Sequence, residues 1–166
     1  MLSVDGLIIV KSRRRCCRLF YARILGMKLL VKKLHQDAVL PRFAHETDAG
    51  LDLCTVESVT IQPGEHRLVK TGVAIVFPAG YVALVWDKGG VANKRHLKTV
   101  GGVFDTDYRG EYLIGLYNFG TEPQSFAVGD KIAQLLIQKV EHPALVEVEE
   151  LDATPRGEGA FGSTGK

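Results

Sequence analysis

The sequence predicts one domain with an all-β fold, in the form of a sandwich, a barrel or a jelly roll. Turn signals recur about every ten residues, with short strand-like segments between them, a spacing typical of these folds. Glycine accounts for 18 of the 166 residues. This exceeds the average of roughly 7%, as a chain with many tight turns requires. No segment has the apolar period of a long amphipathic helix.

The predicted strands are runs of β-branched and aromatic residues between turn signals rich in glycine and proline. We expect strands over residues 28–34, 67–77, 81–86, 112–119, 131–140 and 144–148. In the last of these, Val146 and Val148 alternate with Glu147 and Glu149. This period of two residues is typical of a half-buried strand.

Both ends of the chain differ in composition from the part between them. Residues 1–26 are rich in arginine and poor in acids, which fits a targeting presequence or an extension upstream of a protein that starts at Met27. We favour the extension, because a strand-like segment begins directly after it; a nucleic-acid arm is a weaker third interpretation. The predicted organisation is a basic extension over 1–26, a β domain over 27–152 and a flexible arm over 153–166.

The charge distribution argues against a nucleic-acid-binding protein. The net charge is +2, but residues 1–33 hold nine Lys and Arg against one acid, and the rest of the chain has twelve bases and eighteen acids. A domain that binds DNA or RNA needs basic residues across its folded body. The body of this chain is acidic instead, so we expect no nucleic-acid partner.

The cysteines and the apolar runs indicate the compartment. Cys16 and Cys17 are adjacent and Cys54 stands alone, so neither a disulfide framework nor a zinc spacing is present, and a reducing compartment fits best. No apolar run approaches the ~18–20 residues of a transmembrane helix. We expect a cytoplasmic protein without a membrane partner; organellar targeting by residues 1–26 is the alternative.

Residues 101–110 are the first candidate for a site of chemistry. Two carboxylates, Asp105 and Asp107, lie with Tyr108 among glycines, between two strand-like segments. A hairpin that projects both carboxylates to one face would place a general base at a cleft. An ordinary solvated turn is the alternative, since Asp-rich turns are common.

Residues 86–92 are the second candidate. Gly89 and Gly90 follow Lys88, so bare backbone N–H groups lie beside a cation, an arrangement suited to binding an anion. The spacing is not that of the phosphate loop G-x-x-x-x-G-K-[ST]. The five histidines show no zinc spacing, and there is no G-x-S-x-G segment. A zinc hydrolase and a covalent nucleophile are therefore not indicated.

The segment after Asp152 is the third candidate. Residues 154–166 contain one large apolar residue, Phe161, together with Arg156 and several glycines. Such a segment cannot offset its ordering entropy by packing, so we expect it to be mobile. Its composition suits closing over an anionic ligand that carries a ring. A terminus without function is the alternative.

Five segments, in order along the chain, resemble the five motifs of the trimeric dUTPase family. They are residues 48–53 (DAGLDL), 87–92 (DKGGVA), 102–110 (GVFDTDYRG), 129–135 (GDKIAQL) and 156–165 (RGEGAFGSTG). The resemblance runs from about Met27 to the C-terminus. It implies a dUTPase-like β jelly roll that assembles as a homotrimer with three shared active sites. It also implies hydrolysis of dUTP to dUMP and pyrophosphate with Mg²⁺, which the triphosphate and waters would hold without direct protein ligands.

The third of these segments would surround the reacting phosphate, the sugar and the base. By the resemblance, Asp105 would activate the water that attacks the α-phosphorus. Tyr108 would pack under the deoxyribose and leave no room for a 2′-hydroxyl. The uracil edge would be read by groups at Gly102, Val103, Phe104, Asp105 and Leu113. A base with the wrong hydrogen-bonding edge would leave buried polar groups unpaired.

The other segments would hold the triphosphate and close the site. The triphosphate would lie among Lys88, Gly89, Gly90 and Gln134. Arg156 would clamp its distal end. Phe161 would stack on the uracil with Gly162 beside it, and closure of this arm would exclude water. Asp52 would either support the site or serve the fold.

Two departures from the family pattern concern the rate. Lys88 replaces the usual Arg and lacks its two-pronged donor geometry, and Gly89 replaces the usual Ser, which removes a hydroxyl. A dUTPase-like nucleotide-binding regulatory protein with weakened catalysis is therefore one alternative. A dCTP deaminase-type enzyme, which shares the fold, is the other. For that enzyme we would expect a Glu acid/base and a Trp in place of Tyr108.

Overall fold

Antiparallel strands make up nearly all the regular structure of the computed structural model, which describes residues 27–160. The all-β prediction is confirmed. In chain order the elements are β1 (Leu30–Lys33), β2 (Leu51–Cys54), β3 (Val59–Ile61), β4 (His66–Lys70), β5 (Val73–Val76), β6 (Tyr81–Asp87), α1 (Gly89–Arg95), β7 (Leu97–Val100), β8 (Val103–Phe104), β9 (Leu113–Asn118), β10 (Gln124–Phe126) and β11 (Lys131–Lys139).

Within the described chain these strands form four antiparallel sheets. Two sheets have two strands each, β1 with β5 and β3 with β10. The larger sheets have the strand orders β2–β11–β6–β8 and β4–β9–β7. β11 is the longest strand and pairs with β2 on one side and with β6 on the other. It therefore joins segments that lie far apart in the sequence.

All four sheets contribute to one apolar core. Leu53, Ile61, Ile75 and Leu116 come from different sheets, and each is at most 1% exposed. Aliphatic and aromatic side chains of this kind fit the pleated surface of a buried sheet face. The largest fully buried side chains also include Tyr112, Leu97, Ile114, Ile132 and Leu135. Cys54 is buried and free, so it forms no disulfide within the described residues.

Asn118 satisfies backbone groups where β9 ends. Its buried side-chain amide donates to the carbonyl oxygens of Ile61 at 3.0 Å and Glu122 at 2.8 Å. Its side-chain oxygen accepts a hydrogen bond from the N–H of Gly120 at 2.9 Å. Because buried backbone groups without partners are costly, this side chain fixes the end of β9 against β3 and the following turn.

The predicted strand over residues 67–77 is interrupted in the structure. It is divided into β4 and β5, which belong to different sheets, and the break falls at Thr71 and Gly72. Gly72 has φ = +67°, a conformation that favours glycine. A Cβ atom there would lie 2.7 Å from Val56 Cγ1 and 3.0 Å from the Cβ atoms of Ala38 and His35. The interruption therefore depends on tight packing as well as on the backbone angle.

The predicted strand over residues 144–148 is wrong. The structure has no strand there, and Leu145 and Val146 are 95% and 77% exposed. Alternation of apolar and polar residues marks a face that can be buried. A strand also needs a neighbour to bond its backbone, and no strand of the described chain lies beside this segment.

One short helix, α1, was not anticipated. It ends at His96, which has φ = 54° and donates its backbone N–H to the carbonyl oxygen of Val91. Lys94 and Arg95 lie in its last turn, where positive charge is favourable. Among residues 27–160, no helix has the length and apolar character that crossing a membrane requires.

We predict that Gly72→Ala lowers the free energy of unfolding by about 3 kcal/mol, because backbone strain adds to steric overlap with Val56. The matched variant Gly64→Ala also places a side chain at positive φ (+76°), but its Cβ atom would meet nothing within 4 Å. That variant should lose only about 1 kcal/mol. Urea denaturation of both variants measures the difference. Equal losses would contradict the packing argument.

Candidate active site

The segment between β8 and β9 carries the first group of predicted site residues. β8 pairs with β6, whereas β9 pairs with β4 and β7. The segment therefore crosses from one sheet to another, and the predicted hairpin is wrong. It turns immediately after β8, where the N–H of Tyr108 donates to the carbonyl oxygen of Asp105 at 3.2 Å.

An open cavity of about 300 Å³ lies against this segment. It is lined by Val103, Phe104, Asp105, Tyr108, Glu111 and Leu113. Five of these six residues were predicted site residues, so the structure brings four residues of the third motif-like segment together with Leu113 at one cavity. The exposed Asp105 carboxylate forms no hydrogen bond or ion pair with a residue of the described chain. Its oxygens are therefore free to accept protons from a ligand or water.

Gly102 brings the main chain close to β6 at the edge of this cavity. Its φ is +100°, and its carbonyl oxygen accepts a hydrogen bond from the N–H of Val85 at 2.7 Å. A Cβ atom at this position would lie 2.8 Å from the carbonyl oxygen of Val85. Glycine is required here by both conformation and space.

Glu111 ties the cavity to the neighbouring strands, and sequence analysis did not single it out. Its carboxylate accepts a hydrogen bond from the N–H of Gly72 at 2.7 Å. Its carbonyl oxygen accepts one from the hydroxyl of Tyr108 at 2.9 Å. The only signal in the sequence was its place directly after the third motif-like segment.

Asp52 is the centre of a second group of predicted residues. It lies on β2 and is 5% exposed, and its two carboxylate oxygens lie 2.6 Å from Lys88 Nζ and 2.6 Å from Lys131 Nζ. Burial by itself would raise the pKa of Asp52, but hydrogen bonds from Lys131 and Lys88 outweigh it and hold that pKa below 3.8. The carboxylate is therefore charged at neutral pH, and both ammonium groups are partnered.

Gln134 lies beside this ion-paired group. Its side-chain amide donates to the carbonyl oxygen of Asp87 at 2.8 Å, which fixes the end of β6 just before Lys88. A Cβ atom on Gly50 would lie 2.8 Å from Gln134 Oε1, so the first motif-like segment leaves room for this glutamine. Lys131 was missed as a partner of Asp52, although it belongs to the fourth motif-like segment.

Asp87 orients the chain that leads into α1. Its carboxylate accepts hydrogen bonds from Lys98 Nζ and from both the N–H and the hydroxyl of Thr99. Burial would raise the pKa of Asp87, but these hydrogen bonds lower it overall. Gly89 and Gly90 follow at the start of α1, where an added Cβ atom would meet nothing within 4 Å. The fold therefore leaves space for a larger residue at either position.

Arg156 lies in an exposed turn near the end of the described chain. Its Nε donates to the carbonyl oxygen of Gly159 at 2.8 Å, and the N–H of Gly157 donates to the carbonyl oxygen of Thr154 at 3.0 Å. Arg156 does not line the cavity. Phe161 and Gly162 lie outside the described residues, as does the basic segment 1–26.

The predicted site residues thus fall into separate groups within one chain. The cavity that contains Asp105 and Tyr108 is not lined by Asp52, by Lys88 or by Gln134. Between residues 27 and 160, no three His, Cys, Asp or Glu side chains are grouped so as to hold a metal ion. The geometry offers a cavity with a free carboxylate and aromatic walls, and elsewhere a cluster of partnered charges.

Comparison with known proteins gives a consistent match. A family model described as dUTPase matches residues 36–165. The chain is 45% identical over 142 residues to deoxyuridine 5′-triphosphate nucleotidohydrolase of Thermobifida fusca, covering 84% of this chain and 79% of that protein. It is 48% identical over 143 residues to the enzyme of the same name from Corynebacterium jeikeium, covering 82% of this chain and 92% of that one.

Solved structures show the same similarity. One is a variant of the Staphylococcus bacteriophage 80alpha dUTPase with dUpNHpp, with a TM-score of 0.79, 32% identity, and coverage of 84% of this chain and 99% of that one. Another is a variant dUTPase from phage phi11 of S. aureus, whose structure concerns the coordination of a structural Mg(II) ion. Its TM-score is 0.71 at 31% identity, with 76% of this chain and 99% of that chain covered.

We predict that Asp52→Asn lowers the free energy of unfolding at pH 7 by about 2–3 kcal/mol, because two half-buried ammonium groups lose their counter-charge. The pKa of Asp52 is lowered in the folded state. Its contribution is therefore complete above the unfolded pKa, near 3.9, and is lost as the pH falls through the folded pKa. Denaturation at a series of pH values should show the variant and the parent converge on acidification. Asp107→Asn, at an exposed position, is the control, and a constant difference across that range would contradict the assignment.

Proposed function

The chain belongs to the dUTPase family, and on that premise we propose that it hydrolyses dUTP to dUMP and pyrophosphate. One observation carries the proposal: the cavity between β8 and β9 joins the free carboxylate of Asp105 to the ring of Tyr108. This puts a proton acceptor beside an aromatic ring that a sugar can pack against, which supports a site for hydrolysis of a nucleotide. The family match extends over nearly all of the β domain.

In the proposed reaction, Asp105 accepts a proton from a water molecule as the water oxygen bonds to the α-phosphorus. The bond from that phosphorus to the oxygen that bridges to the β-phosphate then breaks, and pyrophosphate leaves with the electron pair. The carboxylate suits this role because no cation of the described chain is bonded to it.

Selection of the nucleotide is proposed to occur along the walls of the same cavity. Tyr108 would pack under the deoxyribose, where a 2′-hydroxyl would have no room. The main chain of residues 102–105 and the region of Leu113 would read the uracil edge. The tight approach of Gly102 to Val85 supports this assignment, because it keeps the main chain in one position at the cavity edge.

The triphosphate is proposed to lie among Lys88, Gly89, Gly90 and Gln134. Lys88 is bonded to Asp52 in the free protein, so it would exchange this partner for a phosphate oxygen. Lys131 supports the exchange, because it remains 2.6 Å from the other oxygen of Asp52 and keeps that buried carboxylate neutralised. A single lysine could not bind phosphate without leaving Asp52 uncompensated.

Mg²⁺ is proposed to arrive with the triphosphate, as part of the substrate. Mg²⁺ prefers oxygen ligands and keeps several waters, and it is commonly bound through substrate phosphates. When bound there it neutralises charge on the phosphate chain. The residues of this chain would then position the phosphates, hold the sugar and accept the proton.

A homotrimer with shared active sites is proposed from two features of the single chain. The cavity and the Asp52 group share no residue, which is the arrangement expected if each is completed by parts of another copy. In addition, one face of the β4–β9–β7 sheet has exposed apolar side chains around Gly115, and His66, Lys70 and Lys98 border them on the same face. The residues paired with Gly115 on β4 and β7, and the residues two positions before and after Gly115 on β9, lie on that face. They are Leu68, Val100, Leu113 and Tyr117, which are 36–56% exposed. Leu113 also lines the cavity.

The C-terminal arm is proposed to close over the bound nucleotide. Arg156 would clamp the distal phosphate, Phe161 would stack on the uracil, and Gly162 would lie beside it. The turn over Thr154–Gly159 supports the proposal, because it is exposed and bonded only within itself in the described chain. Such a turn can move as a unit and exclude water when the arm closes.

Pyrophosphate release with Mg²⁺ from dUTP, dCTP, dTTP and UTP, each tested separately, examines the proposed function. We expect fast release from dUTP and little from the other three. Binding of dUTP without hydrolysis would point to the regulatory alternative instead. Release of ammonia from dCTP would favour the deaminase, which the family match does not support.

We predict that Asp105→Asn lowers kcat for dUTP by at least about a hundredfold while leaving the Kd for dUTP within about threefold, because the amide cannot accept the proton. Single-turnover kinetics and equilibrium titration measure the two quantities. Asp107→Asn is the matched control in the same turn and should keep its turnover. Near-normal turnover by Asp105→Asn would remove Asp105 from the role of base.

A further inference from the structure

Tyr108 is held from three directions by residues of its own chain. Its hydroxyl donates to the carbonyl oxygen of Glu111 at 2.9 Å. Its ring packs against Phe104 and Tyr112, with ring centroids 5.7 and 6.1 Å away and interplanar angles of 49° and 52°. On the third side is Gly110, where a Cβ atom would lie 2.5 Å from Tyr108 Cζ. The position of the ring is therefore set before any nucleotide binds.

Phe104 and Tyr112 form the support against which Tyr108 packs. Their ring centroids are 4.0 Å apart and their planes differ by 9°. Phe104 is fixed in β8 by its pairing with Ala83, and the N–H of Tyr112 donates to the carbonyl oxygen of Val73 at 2.9 Å. A parallel stack anchored at both ends moves as one unit. The pair thus makes a rigid wall behind Tyr108.

Tyr112 contributes its ring to this wall, and its hydroxyl is not used. The residue is fully buried, and the hydroxyl has no hydrogen-bond partner in the part of the chain that the structure describes. Burial raises the pKa of this hydroxyl to about 12, so it is neutral at any ordinary pH. A buried hydroxyl without a partner is unfavourable. Any stabilisation from Tyr112 therefore comes from packing of its ring and not from its hydroxyl.

We propose that Phe104 and Tyr112 are positioning residues for sugar selectivity, because they keep the ring of Tyr108 where a 2′-hydroxyl has no room. This inference rests on the proposed function, which assigns Tyr108 its contact with the sugar. An apolar wall rejects an added hydroxyl only weakly if it can yield. Rigid support should therefore matter more for excluding UTP than for turning over dUTP.

Competition between dUTP and UTP, expressed as the ratio of their kcat/KM values, tests the proposal. This ratio does not depend on the fraction of folded enzyme, so a merely destabilised variant leaves it unchanged. Tyr112→Leu removes the stacked ring, and Gly110→Ala forces the end of the Tyr108 side chain to move. We expect each variant to lower the ratio by about tenfold, mainly through a lower KM for UTP.

Two control variants separate ring support from general loosening. Tyr112→Phe keeps the ring that stacks on Phe104. Tyr81→Leu makes the same change as Tyr112→Leu, but at a half-buried tyrosine that is not one of the three stacked or packed rings Phe104, Tyr108 and Tyr112. Both should keep the ratio within about twofold of the parent. A fall in Tyr112→Leu, with both controls unchanged, supports the proposal, and Gly110→Ala shows how large a fall a displaced Tyr108 ring produces.

Two results overturn the proposal while leaving the proposed function intact. They are an unchanged ratio in Tyr112→Leu, and a fall in a control variant as large as the fall in Tyr112→Leu. A parent protein that hydrolyses neither nucleotide is a different outcome. It is seen before any variant is made, and it overturns the proposed function together with the inference.

Discussion

A buried carboxylate held between two ammonium groups is the interaction on which the arrangement of this protein depends. Asp52 lies on β2, Lys88 lies between β6 and α1, and Lys131 begins β11. A buried charge without a partner is strongly unfavourable, so the three segments must approach one another in one register. Gln134 extends the constraint by binding the carbonyl oxygen of Asp87. Segments far apart in the sequence are thereby brought to one place.

The two groups of site residues are built on different physical principles. The cavity side has rings and close-packed main chain, with Phe104 stacked on Tyr112 and Gly102 against Val85. Such walls discriminate by shape, because they have little freedom to adapt. The Asp52 side has paired charges, so Asp52 would keep one ammonium partner, Lys131, if Lys88 bound another anion. One side suits a neutral ring and sugar, and the other suits a flexible chain of phosphates.

The parts of the structure that follow from local chemistry could be predicted from the sequence. The all-β class belongs to this group, since turns and β-branched runs are local signals. Four of the six cavity residues lie in one motif-like segment, and the resemblance to the family indicated them. The break at Gly72 depends on Val56 and other residues distant in sequence, and the bond between Lys131 and Asp52 spans two strands. The alternation of apolar and polar residues around Val146 indicated a face that could be buried, but it did not indicate which strand would pack against that face. Contacts of this kind exist only in the folded chain.

In the proposed homotrimer, the exposed apolar side chains of Leu145 and Val146 would be available for contact with another copy. Apolar side chains that are covered only on assembly would make the stability of each copy depend on the concentration of the chain. If the sites are shared, dilution would then remove activity faster than it removes protein. The catalytic output of a cell would respond to the level of this chain more steeply than in simple proportion. A low concentration of the chain would by itself reduce its activity, without any ligand or modification.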